Sequence, residues 1–157
     1  MYFERLKSLG DFPIITKTYP NEREALIEIS KRAPRNEVAR FILSDLDKAI
    51  EMMQNIAPSG GKNRLSKDCA ILLKSRVALY EGSWLKNFKG TAFVPNGPGW
   101  PGANKDYNAN YSFKSGSIDK ESEFFFDEAI KAAQIIAEKY NICLLYTSDA
   151  ADELDGV

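Results

Sequence analysis

The apolar positions of this chain recur at steps of three and four residues, which is the spacing of amphipathic helices. The clearest example is Arg35 to Ile56, with apolar positions at Val38, Ile42, Leu46, Ala49, Ile50, Met53 and Ile56. Shorter patterns predict a helix over Tyr2 to Leu9 and another after Pro20, where Asn21 suits an N-cap and Pro34 sets the limit. We therefore predict a mainly all-α fold.

Two further helix patterns follow, and a long interruption separates them. The first covers Lys67 to Trp84, with Ser66 as its N-cap, and the second covers Glu123 to Tyr140, starting at Ser122 or Asp119. Small residues of the second pattern allow another helix to approach closely; they are Ala129, Ala132 and Ala133. Helix pairs of this kind are typical of tetratricopeptide repeats, so we expect tetratricopeptide-like hairpins.

The interruption, residues 86–119, is a long loop rich in aromatic residues, glycine and proline. A stretch of this length inside a compact domain is usually either functional or disordered. Its aromatic residues argue against disorder, because disordered segments lack the apolar surface that offsets chain entropy. We interpret it as an insertion at a helix hairpin, which a repeat scaffold tolerates because loop closure costs only about 0.6 kcal/mol per doubling of length.

Composition narrows the classes of function. The chain has 21 basic and 22 acidic residues and a net charge of -1, so we expect no nucleic-acid partner. Histidine is absent, which removes the commonest metal ligand and the usual base of nucleophilic triads. Cys69 and Cys143 form no spaced ligand set, and Cys69 suits a small buried thiol. We therefore expect no metal, no cofactor and no catalytic residue.

Four segments together resemble a known family: LGDFPIITK, RAPRNEVARFILSDLDKAIEMM, GGKNRLSKDCAILLKSRVALYEGSWLK and FDEAIKAAQIIAEKYNI. In this order they resemble the SusD/RagB family of outer-membrane nutrient-binding lipoproteins, over residues 1–142, with Leu9 where phenylalanine is frequent. The resemblance implies a helical glycan-binding protein on the extracellular face of the outer membrane. It also implies a SusC-like TonB-dependent transporter as partner, and membrane attachment only through a lipid anchor that this sequence lacks.

The C-terminal residues have a different origin. The peptide CLLYTSDAADE matches the translation of a transposase sequencing-library adaptor, residue by residue. We therefore interpret residues 143–157 as a non-native tail and residues 1–142 as a fragment of a SusD-like helical domain.

The loop has the residue types that sugar binding requires. Sugar rings present apolar faces flanked by hydroxyls, so a site needs flat aromatic surfaces with amides and carboxylates nearby. The candidate residues are Trp100, Tyr107, Asn96, Asn104 and Asp106. The turns of the GPGWPG segment are suited to holding Trp100 outward. Packing is the alternative for each aromatic, since burying one large side chain contributes about 1.5 to 3 kcal/mol.

Two other functions remain open from the sequence. A cytoplasmic tetratricopeptide adaptor would bind peptides in a concave groove. A glycan-cleaving enzyme would need two carboxylates at a defined separation, for example Asp106 or Asp119 with Glu121 or Glu123. Because nothing in their spacing favours catalysis, we expect a binding protein rather than an enzyme.

Overall fold

A computed structural model describes residues 1–55 and 64–140 of the chain. These ranges contain five α-helices and no β-strand, which confirms the all-α prediction. The helices are α1 (Tyr2–Leu9), α2 (Arg23–Ile29), α3 (Arg35–Met52), α4 (Lys67–Asn87) and α5 (Ile118–Lys139). The tail expected at residues 143–157 lies outside the described residues.

Helix ends differ from the sequence prediction at several places, and α4 continues to Asn87, beyond the predicted Trp84. Helix α3 stops at Met52 rather than Ile56. Met52 is 85% exposed, so a longer helix would gain little stability from burial at this end. Helix α5 begins at Ile118, earlier than predicted, because the Ser117 side chain accepts a hydrogen bond from the Lys120 amide at 3.3 Å. Helix α2 has Glu22 rather than Asn21 at its N-cap and contains no buried residue.

The core lies where α4 packs between α3 and α5. Its buried apolar side chains are Leu6, Val38, Ala39, Ile42, Leu43, Val77, Ala78, Leu85, Val94, Phe125 and Ala129. Gly82 allows the close approach of α5, since a Cβ there would lie only 3.1 Å from the Phe126 ring. The Ser122 hydroxyl donates to the Gly82 carbonyl at 2.8 Å, so the same point of contact is also hydrogen-bonded.

Helices α4 and α5 are neighbours in space, with the long loop connecting them, as the hairpin prediction requires. The loop is not structureless. It is built from turns and two short 3₁₀ helices, Pro101–Asn104 and Asp106–Asn108. Its Val94 side chain is buried in the core, so the insertion packs against the helices.

The buried face of α4 leaves several of its apolar side chains exposed. Leu72, Leu73 and Leu79 are 42 to 54% exposed, because the described neighbours cover only the face that carries Val77. The expectation of a buried thiol at Cys69 is wrong for the same reason. Cys69 lies on the open face near the start of α4, with its sulfur 3.6 Å from the Ser66 hydroxyl oxygen.

Candidate functional site

A buried ion pair joins α3 to α4 near the loop. Arg35 donates from Nε and Nη2 to the two carboxylate oxygens of Glu81, at 2.9 and 2.8 Å. Burial raises the pKa of Glu81, while the hydrogen bonds from Arg35 act in the opposite direction. The Arg35 guanidinium also lies 4.1 Å from the centre of the Trp84 ring. Arg35 is therefore held in one position by a carboxylate and an aromatic face.

A second buried cluster fixes the end of the loop at α5. The fully buried Glu121 carboxylate accepts hydrogen bonds from Arg40, at 2.6 and 2.9 Å, from Asn36 at 3.0 Å and from the Ser115 amide at 3.1 Å. Burial alone would raise the pKa of Glu121, but the hydrogen bonds from Arg40, Asn36 and Ser115 outweigh it and hold the pKa at about 2. Glu121 is therefore charged and committed to structure.

Trp100 and Tyr111 attach the middle of the loop to the helices. Trp100 donates from Nε1 to Oδ2 of Asp11 at 2.7 Å, and Oδ1 of Asp11 accepts from the Arg35 amide at 2.9 Å. Tyr111 donates to the Asn36 side-chain oxygen at 2.7 Å. Burial raises the pKa of Asp11, and the bonds from Trp100 and Arg35 oppose that rise. These contacts join residues that are far apart in sequence, so they fix the loop to the helical frame, meaning the five described helices and the other connectors between them.

The expectation that Trp100 is held outward is wrong. Its side chain is only 3% exposed, and the ring folds back over the chain at Gly102. A Cβ at Gly102 would lie 2.2 Å from the indole ring, so only glycine fits beneath it. Gly102 thus allows the packing of Trp100, which donates its N–H to Asp11 instead of offering it to solvent.

Beyond Gly102 the loop makes a short excursion into solvent. The side-chain amide of Asn108 donates from Nδ2 to the Gly102 carbonyl at 3.2 Å, and both residues are buried. Residues 103–107, which lie between them, are all exposed. This hydrogen bond therefore closes a small loop whose outer residues are free to contact a ligand.

A cavity of about 690 Å³ lies between this loop, the end of α1, the α2 to α3 connection and the end of α4. Its aromatic walls are Trp84, Phe93, Trp100 and Tyr107. Its charged groups are Lys7, Asp11, Arg32, Arg35 and Lys105. Since ligand pockets typically enclose about 300 to 1,000 Å³ and combine apolar walls with a few polar groups, this cavity is the best candidate for a binding site.

The structure brings together part of the predicted site. Trp100 and Tyr107 both line the cavity, and Tyr107 is 42% exposed, with its hydroxyl accepting from the Arg32 amide at 3.4 Å. Asp106 lines an adjacent depression with Tyr107 instead. Asn96 and Asn104 do not line the cavity. Asn96 takes a left-handed conformation, with φ of 60°, at an exposed turn, and Asn104 is an exposed residue of a 3₁₀ helix.

Sequence reasoning missed the residues that other elements contribute to the cavity. Asp11, Arg35 and Trp84 come from a connector, α3 and α4 respectively, and none lies near Trp100 in sequence. Trp84 packs against core residues, but it is half-buried and also faces the cavity. For Asp11 the sequence did contain a signal. Gly10 and Asp11 come just before Pro13, which places a carboxylate at a chain bend.

The carboxylates considered for catalysis do not meet in this cavity. Asp119 binds Lys89 at 2.6 Å, and Glu121 is enclosed by its hydrogen-bond partners. Glu123 is exposed on α5, and Asp106 faces the adjacent depression. The structure therefore offers no shared cleft, among the described residues, for any pair of these four groups.

Comparisons of the chain with models of protein families, with curated proteins and with solved structures found no match. Within residues 1–55 and 64–140, no three acidic or cysteine side chains come close enough to share a metal ion. None of the described helices has an apolar run of the length that crossing a bilayer requires. The resemblance to the SusD/RagB family therefore remains a prediction from the four segments.

Proposed function

We propose that this chain is the glycan-binding component of a SusC/SusD-like nutrient uptake system. The observation that carries the proposal is the cavity where the aromatic loop meets the helical frame. Phe93 and Tyr107 are 62 and 42% exposed there, so they offer flat apolar surfaces to the C–H faces of a sugar. Charged and amide groups beside them can hydrogen-bond the ring substituents.

The frame holds this surface ready for a ligand. Trp100, Tyr111 and Ser115 attach the loop to Asp11, Asn36 and Glu121 through hydrogen bonds of 2.7, 2.7 and 3.1 Å. A loop that is already ordered loses little conformational entropy when a ligand binds. We therefore infer that the site binds its glycan largely without rearrangement.

The proposal is capture without cleavage. Glycoside hydrolysis ordinarily requires two carboxyl groups on either side of the scissile bond. Among the described residues that line the cavity, Asp11 carries the one carboxyl group, and both of its oxygens already accept hydrogen bonds. A reducing-end assay on any glycan that binds checks this part, since release of new ends would contradict it.

On this proposal, the captured oligosaccharide passes to a SusC-like TonB-dependent transporter at the extracellular face of the outer membrane. The support is the family resemblance of the four segments. Co-purification of a transporter with the lipidated protein from the native membrane tests the partner and the location together. A cytoplasmic fraction that contains all of the protein would contradict both.

Binding itself is tested with a panel of soluble polysaccharides, using affinity electrophoresis and then calorimetry on each glycan that retards the chain. Replacing Tyr107 with alanine is expected to weaken binding about 10- to 100-fold, because covering one large aromatic contributes about 1.5 to 3 kcal/mol. Tyr19 is a matched control, since it is 36% exposed and does not line the cavity.

The Tyr19→Ala variant should bind like the unchanged protein. If the Tyr107→Ala variant bound glycan as tightly as the unchanged protein, the cavity would not be the binding site. Binding of unstructured peptides, with no glycan bound, would favour the tetratricopeptide adaptor instead.

A further inference from the structure

The charges around the cavity are mostly positive. Lys7, Arg32, Arg35 and Lys105 line it, whereas Asp11 is the single carboxylate in the described lining. This imbalance does not reflect the chain as a whole, whose net charge is -1. The local excess therefore belongs to the site.

Three of these charged groups already have partners within the protein. Arg35 is paired with the buried Glu81, and Lys7 lies 2.8 Å from Glu4. Asp11 uses one oxygen for the Arg35 amide and the other for the Trp100 indole.

Arg32 and Lys105 are different. Both are exposed, and neither forms an ion pair within the part of the chain that the structure describes. Among the described residues that line the cavity, the charged groups without an ion-pair partner are therefore the cations of Arg32 and Lys105.

The same two residues flank the exposed aromatic. The Arg32 amide lies 3.4 Å from the Tyr107 hydroxyl, and Lys105 precedes Tyr107 by two positions in the exposed part of the loop. Arg32, Lys105 and Tyr107 line the same cavity, so a sugar ring resting on Tyr107 would share that cavity with a guanidinium and an ammonium group. Asn108, which also lines the cavity, uses its amide N–H on the Gly102 carbonyl, so the charged groups are the principal free donors.

We propose, on the basis of the glycan-binding function above, that this cavity selects acidic oligosaccharides. Arg32 and Lys105 bind the anionic group, and Tyr107 carries the ring. A carboxylate or sulfate adds a Coulomb attraction to these two cations that a neutral hydroxyl lacks, so it gains more from the same donors. A uronate and a sulfate ester present the same chemistry, and the experiment separates them.

The test compares four ligands in two matched pairs by calorimetry: a galacturonate oligosaccharide with its methyl ester, and a sulfated galactan with its desulfated form. In at least one pair the acidic member is expected to bind about tenfold more tightly, with an advantage that shrinks as salt is added. The pair that shows this difference identifies the anionic group. Circular dichroism confirms that each variant below keeps its helical content.

Replacing Arg32 or Lys105 with glutamine should weaken binding of the acidic member about two- to fivefold each, and weaken binding of the neutral member less, so that the advantage of the acidic member shrinks. Lys120→Gln is the control, because Lys120 is exposed on α5 and does not line the cavity.

Each other result has a distinct meaning. Equal binding of acidic and neutral glycans, with no salt dependence, overturns the acidic preference and leaves glycan capture standing. Tight acidic binding that both glutamine variants retain also overturns it. If neither these ligands nor the polysaccharide panel binds, the proposed function itself fails.

Discussion

The buried indole of Trp100 is the most informative single residue to change. Its side chain is 3% exposed and donates to Asp11 at 2.7 Å. Truncation to alanine removes a buried aromatic, which costs about 3 to 5 kcal/mol of unfolding free energy. Substitution by phenylalanine keeps most of the apolar area but removes the donor from a charged group, which costs about 1.5 to 3 kcal/mol.

Urea denaturation followed by far-ultraviolet circular dichroism measures both variants, since this signal reports the helices and does not depend on the tryptophan itself. For a chain of this size, a loss of 3 to 5 kcal/mol corresponds to a fall in Tm of roughly 6 to 20 °C. Tyr107→Ala is the comparison on the same loop, and we expect it to change stability by less than about 1 kcal/mol because Tyr107 is partly exposed.

The order of stability among the three variants tests the structural role of Trp100. We expect Trp100→Ala to be the least stable, then Trp100→Phe, then Tyr107→Ala. A Trp100→Ala variant that unfolds at the same urea concentration as the unchanged protein, but no longer binds glycan, would show that Trp100 is an exposed binding surface. That result would refute the structural role given to the bond with Asp11.

Two further predictions concern Glu121 and Gly102. The folded pKa of Glu121 is about 2, against an ordinary value of 4.5, so its charge contributes about 3 kcal/mol of stability above about pH 4.5, and this contribution is lost as the pH falls toward 2. Urea denaturation over that pH range should show that the Glu121→Gln variant loses less unfolding free energy than the unchanged chain as the pH falls. Parallel curves of unfolding free energy against pH would contradict the role given to Glu121. A Gly102→Ala substitution should lower stability by about 1 to 3 kcal/mol, because its Cβ overlaps the Trp100 ring. Replacing the exposed Ala103 with glycine is the matched control, and a fully stable Gly102→Ala variant would mean that the indole does not lie there.

Helices were predictable from this sequence because their apolar spacing is a local property. Spacing predicted helices over Arg35 to Ile56 and over Lys67 to Trp84, and the structure has helices at Arg35–Met52 and Lys67–Asn87. Helix ends were less predictable because they depend on neighbours and on single hydrogen bonds, as at Ser117. Exposure at Cys69 was missed because the apolar stripe of α4 is wider than the surface that its described neighbours cover.

The candidate site was predictable only in part. The residue types of the loop indicated Trp100 and Tyr107, and both line the cavity. Composition did not distinguish an outward ring from one that is bonded to Asp11, which lies 89 positions away. The contribution of Arg35 was equally hidden, because its pairing with Glu81 depends on how α3 and α4 pack. Long-range contacts of this kind are set by the assembled fold and leave no local pattern.

The hydrogen bond between Asn108 and Gly102 has a consequence for how such a site can diverge. It leaves residues 103–107 exposed, with a contact from the Tyr107 hydroxyl to the Arg32 amide, so sequence changes there leave the buried contacts of the loop intact. Insertions at this tip would also be cheap, because closure entropy grows only slowly with length. Evolution can therefore change what such a cavity binds by substituting a handful of positions, without first having to rebuild the protein that carries them.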